Sequence, residues 1–398
     1  MITREDYFEL SDRTLSYIDT VLSDLDGKKA ERLLFFDIET TGLKASTSFL
    51  YLIGCMRIEE GRLVMRQFLA EDLGEEALLI ESFLRLTDRD TILVDFNGEG
   101  FDVPYLAQKS AALNIFFPAF KGIDLYKHLR PFKNFFGLNS MRQKSIEGFL
   151  GFPRKDEKDG GELIDVYRDF LVMRKLRKQA EADELLALLL LHNHDDVLGL
   201  FHVLPALFAN ALHAGCFEVR SATLTGGGDN AEAAEDACVE IRMALKFPAP
   251  KDMELEGKCY PSSFPEALDP NATRMPEPAT LRMRGDEAVL YIPVFSGELK
   301  LFFENVKDYF YLPSEDRAIH KSLAAFIDKS LKVRAKTSTC YEKRAGSFLP
   351  APKGLFDHEL VFTKKDRYVF VPVCSVTECT DMKLLEDYAA FFLKDGFF

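Results

Sequence analysis

The chain is narrowed first by what it lacks. It has seven cysteines, an odd number, and no two stand in a CxxC spacing. That excludes a zinc knuckle or ribbon and points to reduced thiols. Positive charge is also short, with 50 Lys and Arg against 64 Asp and Glu and a formal net charge of −14. That balance argues against a whole-surface polyanion binder, while a local basic path is compatible with it. The longest apolar run, Leu185 to Leu191, falls well below the roughly 20 residues that a bilayer-spanning helix needs. The opening residues, Met1-Ile2-Thr3-Arg4-Glu5-Asp6-Tyr7, have no apolar core, so no secretory signal is expected. Internal repeats are missing too. The expectation is a soluble, cytoplasmic protein with no membrane contact.

What is present is globular. At 398 residues, 47% hydrophobic and 29% charged, the chain is long enough for two domains. One stretch organises it: Leu33-Leu34-Phe35-Phe36-Asp37-Ile38-Glu39-Thr40-Thr41-Gly42-Leu43. Four apolar residues read as a buried strand that runs into two acids spaced two apart. Side chains alternate along a strand, so Asp37 and Glu39 project from one face at its end. Two acids held side by side repel unless a positive group sits between them, and a divalent ion with oxygen ligands answers that need. Solvated acids at an ordinary strand end are the competing reading.

In chain order, residues 1–30 read as a helical lead-in with sparse apolar spacing. Phe49–Ile58 and Leu63–Leu69 read as a hairpin turned at Glu59-Glu60-Gly61. Glu75 to Leu86 has helical spacing, and Thr91–Phe96 is a further short strand, which together make a mixed α/β sheet. The loop Asn97-Gly98-Glu99-Gly100-Phe101-Asp102 follows. Its two glycines turn the backbone sharply and set Asp102 at the start of a helix, where it is a cap, a metal ligand or both. Asp124, near a later strand end, reads as structural or as a support to the site. The charged segment 153–161 reads as an exposed loop whose Arg and Lys are solvated or touch phosphate. From Glu162 to Leu212 the chain is helical, with a turn between Arg174 and Glu184. The second helix carries His192-Asn193-His194-Asp195-Asp196. His192 and Asp196 are four apart, hence on one helix face, with no evident basic partner, and His194 points elsewhere.

These three stretches, with Tyr51-Leu52-Ile53-Gly54-Cys55, Asp124-Leu125-Tyr126 and Gly160-Gly161-Glu162-Leu163-Ile164, resemble the motifs of the DEDD exonucleases. The resemblance is to the bacterial YprB-like family of ribonuclease H-like exonucleases, over about residues 31–205. It implies an α/β ribonuclease H-like fold for 31–213. It also implies two divalent ions, Mg²⁺ or Mn²⁺, on Asp37, Glu39, Asp102 and Asp196, with His192 as general base. Thr40, Thr41, Leu43 and Asn97 would meet the terminal nucleotide of a DNA or RNA 3′ end. The chain departs from the group in one respect: its His stands at the four-residue spacing that the group uses for Tyr. His194 stays open as an alternative base.

Residues 214–398 differ in character. Strand-like runs at Phe217–Leu224, Cys238–Phe247, Thr280–Arg284, Ala288–Phe295, Leu299–Phe303, Leu360–Phe362 and Tyr368–Val373 predict a second, α+β domain with an antiparallel sheet. Arg284-Gly285-Asp286-Glu287 reads as a hairpin turn. Helices are expected at Glu315–Leu331 and Asp381–Leu393, and loops at 226–230 and 248–278. Lys321, Lys329, Lys332, Arg334, Lys336, Lys343 and Arg344 cluster here with Tyr341 and Phe348. They form either a groove that grips phosphate and stacks a base, or a solvated face. The functional expectation is a metal-dependent 3′–5′ exonuclease. An inactive nuclease fold acting as a nucleic-acid or protein adaptor is the alternative, and a helicase or repair partner is left open.

Overall fold

A computed structural model describes residues 1–10, 18–20, 30–152, 154–156, 160–226, 237–257, 278–357, 359–364 and 369–398. They divide into two compact units, Met1–Ala211 and Leu212–Phe398.

The first unit is built on a six-stranded sheet. Its strands are β1 (Ile2–Glu9), β2 (Leu33–Thr40), β3 (Leu50–Glu59), β4 (Arg62–Leu69), β5 (Ile92–Asp95) and β6 (Lys121–Asp124), in the order β1-β4-β3-β2-β5-β6. β2 pairs antiparallel with β3 and parallel with β5, which pairs parallel with β6, so the sheet is mixed. The β3–β4 turn needs two successive left-handed residues, and Glu60 and Gly61 adopt φ of 50° and 79°. The acid-bearing strand β2 therefore lies inside the sheet, where neighbours on both sides hold its register.

The expected helical lead-in is corrected over its described part. Ile2–Glu9 is an edge strand paired along its whole length with β4, and only Ile18–Thr20 is helical. An edge strand has one partner and one half-buried face, so its apolar residues are few and mimic helical spacing. Ile2, Asp6 and Phe8 are half-buried, while Arg4, Tyr7 and Glu9 are exposed.

Both faces of the sheet are covered by helices. Leu34, Phe36 and Ile38 of β2 pack with Leu79, Ile80 and Phe83 of helix α1 (Glu76–Leu84) and with Tyr105 and Leu106 of α2 (Asp102–Ala112). Across the sheet, Tyr51, Leu52 and Leu69 pack with Leu163, Tyr167 and Phe170 of α5 (Gly160–Lys175) and with Leu189 and Leu190 of α6 (Gln179–Val203). Two short helices, α3 (Leu125–Leu129) and α4 (Gln143–Leu150), precede α5. Arg177, at φ 57°, turns α5 into α6. The segment Gln179–Ala214 has the length and composition to cross a membrane, yet 61% of its most apolar window is buried inside the protein. α6 is the core helix of this unit.

The second unit is α+β. Its main sheet is five-stranded and antiparallel: β7 (Phe217–Thr225), β8 (Cys238–Leu245), β11 (Glu287–Pro293), β10 (Thr280–Arg284) and β9 (Met253–Glu256). Gly285, at φ 58°, makes the β10–β11 hairpin turn. Two three-stranded sheets follow, one of β12 (Phe295–Phe302), β16 (Tyr341–Ala351) and β17 (Val369–Pro372), the other of β14 (Arg317–His320), β13 (Tyr309–Leu312) and β15 (Val333–Arg334).

The helix expected at Glu315–Leu331 is a second correction. Asp316 takes a left-handed φ of 48° and turns the chain back, so Arg317–His320 pairs with Tyr309–Leu312. Helix remains only at Lys321–Ala324 and as a single turn at Lys329–Leu331. Met382–Phe392 is helical, opened by Asp381, whose carboxylate accepts from the Lys383 and Leu384 amides. Most of the loops expected at 226–230 and 248–278 lie outside the described residues, but Met253–Glu256 within the latter is a strand.

Candidate metal centre

Strand alternation separates the roles of β2. Its even-numbered apolar residues fill the core against α1 and α2, which leaves Phe35, Asp37 and Glu39 for the opposite face. Phe35 meets Phe201 of α6 edge-on at 5.9 Å, so that face looks toward α6. Asp37 lies opposite Gly54 of β3. A Cβ at Gly54 would run into the Asn193 side chain, so the glycine makes room for it. Asn193 fills the space and donates from Nδ2 to Asp37 Oδ2 at 3.0 Å. Its Oδ1 accepts from Gln67 Nε2 at 3.0 Å, and Gln67 also donates to the Leu190 carbonyl at 2.8 Å. A buried amide chain thus sets the orientation of the first acid.

Asp102 is the first residue of α2, with its carboxylate bonded by the Ile38 amide and by its own. The loop before it is tightly held. Asn97 takes a left-handed φ of 70° and donates its backbone N–H to Asp124 Oδ1 at 2.8 Å. Gly98 donates to Asp95 Oδ1 at 2.8 Å, and a Cβ there would collide with Asp95. Asp124 also caps α3 by accepting from the Lys127 amide. It braces the Asp102 loop from behind.

On α6, His192 is only 4% exposed. Its Nε2 lies 3.0 Å from Asp196 Oδ2 and 3.4 Å from Glu39 Oε1. Nδ1 lies 2.7 Å from Asp156 Oδ2. Arg154, with a side chain 9% exposed, bonds Asp196 Oδ1 through Nη2 and Glu147 Oε2 through Nε at 2.5 Å. Gly199 leaves the space that Glu147 occupies. Two sequence expectations are corrected here. The His192–Asp196 pair does have a basic partner, Arg154. Of the segment expected as an exposed loop, Arg154 and Asp156 are packed against α6, while Pro153 and residues 157–159 lie outside the described residues. The clamp is Asp195, whose Oδ2 accepts from the Lys155 and Asp156 amides at 2.9 Å each.

The electrostatics follow from crowding. Burial pushes the Asp37 carboxyl well up, and the charges of Asp196, Glu39 and Asp102 add to it. Burial raises Glu39 to about 8, opposed by the nearby His192, and raises Asp102 to about 7. Burial works against a charged His192, but its bond to Asp196 and the charges of Asp196, Glu39 and Asp156 win, lifting it to about 9. Asp196 is half-buried, and the His192 bond and the Arg154 charge hold it below the usual carboxylate range. The acids outnumber the cations that face them, and a divalent ion would correct that.

Glu39, His192 and Asp196 each offer one ligand atom, all within 4.8 Å of one another. The remaining expected residues are placed as follows. Thr40 donates its hydroxyl to the Gly42 carbonyl, and Thr41 Oγ1 accepts from the Phe49 amide, so both are occupied in shaping the loop. Leu43 is 84% exposed at its tip, and Asn97 is exposed. His194 pairs with Asp195 at 3.1 Å and lies beside Phe8, 5.9 Å between rings.

The basic cluster of the second unit is not a free groove. Lys343 bonds Asp316 at 2.8 Å and Glu298 at 3.1 Å, Arg344 bonds Glu342 at 2.6 Å, and Lys321 bonds Asp308 at 2.7 Å. Lys332 caps the Ile327 carbonyl at 2.7 Å, and Arg334 lies over Phe310 at 4.6 Å while donating to the Lys307 carbonyl. Lys329 and Lys336 are exposed. Tyr341 and Phe348, expected as stacking platforms, are buried, so neither can take a base.

Arg154, Asp156, Asn193, Asp195, Gln67 and Glu147 were missed from the sequence. Only Asn193 and Asp195 had a signal, their place inside the His-rich run of α6.

Mixed sheet, crowded strand acids and acid-bearing helix together define a class. Residues 34–208, less than half of the chain, match the family described as the RNase_H superfamily. The chain is 32% identical over 181 residues to YprB of Bacillus subtilis (strain 168), itself uncharacterized. The match takes in 44% of this chain and 41% of YprB, so the chain spans less than half of that relative. Among solved structures, Escherichia coli exonuclease I in complex with a dT13 oligonucleotide is 14% identical, covering 53% of this chain and 54% of that one, with a TM-score of 0.27. A family B DNA polymerase from Pyrobaculum calidifontis is also 14% identical, covering 68% and 34%, with a TM-score of 0.31. At these scores the likeness to solved structures carries no argument.

Proposed function

We propose that the first unit is a metal-dependent 3′–5′ exonuclease of the DEDD type, hydrolysing phosphodiester bonds of DNA or RNA. One observation carries the reading: acids from β2, α2 and α6 gather in a buried site with His192 Nε2 facing two of them. The donor set is hard oxygen, which suits Mg²⁺ or Mn²⁺, and the unbalanced acids fit two such ions on Asp37, Glu39, Asp102 and Asp196. Bound ions would supply positive charge to the attacking water and to the leaving oxygen.

The chain's own residues do the rest. Asn193 fixes the lone pairs of Asp37, and Arg154 holds one oxygen of Asp196, so both ligands are oriented beforehand. Asp156 holds the Nδ1 side of His192, so that Nε2 is the nitrogen turned toward Glu39 and Asp196. Nε2 can then accept a proton from the water whose oxygen attacks phosphorus as the P–O3′ bond breaks. Leu43 offers an apolar surface to a terminal base. The first unit would work as a cytoplasmic enzyme on nucleic-acid ends. The complete acid set argues against an inactive adaptor.

The test is digestion of 5′- and 3′-labelled DNA and RNA oligonucleotides with Mg²⁺, Mn²⁺ or EDTA. Stepwise shortening from the 3′ end with either metal, none in EDTA and none in Asp37→Ala is the expected result. Equal degradation by wild type and Asp37→Ala would sink the site.

A further inference from the structure

We infer that Asp156 is a positioning residue for His192: it holds the Nδ1 proton and thereby keeps Nε2 open toward Glu39 and Asp196. This rests on the reading of His192 as the base. The contact is short, 2.7 Å from Nδ1 to Oδ2, and both side chains are buried. Neither group can turn to water for a substitute partner.

An imidazole has two nitrogens, and the hydrogen bond made by one decides which proton form the other takes. A carboxylate accepts only, so Asp156 requires a proton on Nδ1. Nε2 is then the nitrogen with a free lone pair whenever the ring is neutral. Asp156 is itself anchored. Its backbone N–H and that of Lys155 both end on Asp195 Oδ2, and Lys144 Nζ stands 3.4 Å from Asp156 Oδ2. Asp195 is three residues from His192 on the same helix. The helix therefore presents the ring on one turn and clamps the ring's orienting acid with the next. A staple serving only to close the loop needs the Asp195 bonds, but not a buried carboxylate aimed at an imidazole.

The decisive variants are Asp156→Asn, which keeps volume but can donate as well as accept, and Asp156→Glu, which keeps the charge. Outer partners of this kind typically contribute about 10–100-fold, so Asp156→Asn should lower kcat by that factor with KM unchanged. Asp156→Glu should recover part of it. In a His192→Ala background Asp156→Asn should change nothing further, because the ring it serves is gone. Nitrogen-15 spectra of His-labelled protein provide a readout independent of turnover. Recorded where the ring is neutral, His192 should show Nδ1 alone protonated in the wild type, and a mixture of proton positions in Asp156→Asn. An unchanged spectrum, wild-type turnover in Asp156→Asn, or a loss that adds to that of His192→Ala would each overturn the proposal. If His192→Ala keeps full turnover, the reading of His192 as base fails, and the spectra still decide whether Asp156 holds the ring.

Discussion

In the first unit, Asp37, Glu39, Asp102 and Asp196, two buried and two half-buried, press together with one histidine and one arginine to face them. In the second, Lys321, Lys343 and Arg344 lie at the surface, each beside a carboxylate of its own. Exposed pairs of that kind contribute about 0–1 kcal/mol each and are easily replaced by water and salt. The buried acids have no such exchange open to them, since desolvation and mutual repulsion act on them at once. Crowding of this kind is relieved by protonation or would be relieved by a bound cation, and that separates the first cluster from the second. Counting charges in sequence would have given the two equal standing.

The comparison can be broken most forcefully at His192. His192→Ala should lower turnover by roughly 10²–10⁴-fold, while calorimetry finds divalent-ion binding retained. Lost binding would make His192 a ligand rather than a base. Next is the cost of the crowd itself. Asp37→Asn removes a carboxyl that burial and its neighbours disfavour ionising, without changing volume, so in EDTA it should raise stability by about 0.5–2 kcal/mol while abolishing activity. A lower melting temperature would mean that the Asn193 bond outweighs the repulsion.

A third test is pH. Glu39 and Asp102 have native pKa values raised above their unfolded ones, so protonated they favour the fold, and that advantage fades as pH rises toward about 8 and about 7. The raised His192 acts in the same sense, its contribution fading as pH rises toward about 9. The metal-free protein should therefore melt several degrees lower at pH 9 than at pH 6, and saturating Mg²⁺ or Mn²⁺ should remove most of that slope. A flat metal-free profile would show that the acids are not crowded. The smallest effects belong to the second unit. Lys343→Ala and Arg344→Ala should each shift stability by less than about 1 kcal/mol, as read by urea melts.

The legible part of the site was its periodic part. Asp37 and Glu39 could be placed on one face because strands repeat every two residues, and His192 and Asp196 because helices nearly repeat every four. Arg154 and Asp156 could not, because they lie in a segment without period and reach α6 across 42 and 36 residues of chain. Ile2–Glu9 was obscured by its edge position, where a single pairing partner leaves little apolar alternation to see. Arg317–His320 was hidden by one left-handed residue, Asp316, inside a run otherwise suited to helix. The fate of Lys343 depended on Asp316 and Glu298, whose nearness only the folded sheet reveals.

Helix α6 puts His192, Asn193, Asp195 and Asp196 to four different tasks within five consecutive residues. Each successive residue turns about 100° around the axis. Inserting or deleting one residue between Leu189 and His192 would rotate all four together, carrying the imidazole away from Glu39 while the leucines before it stayed in the core. Relatives of this chain should therefore vary in the length of the loops on either side of α6 but not within that span. A relative with an insertion there should be judged inactive even when every acid is still present.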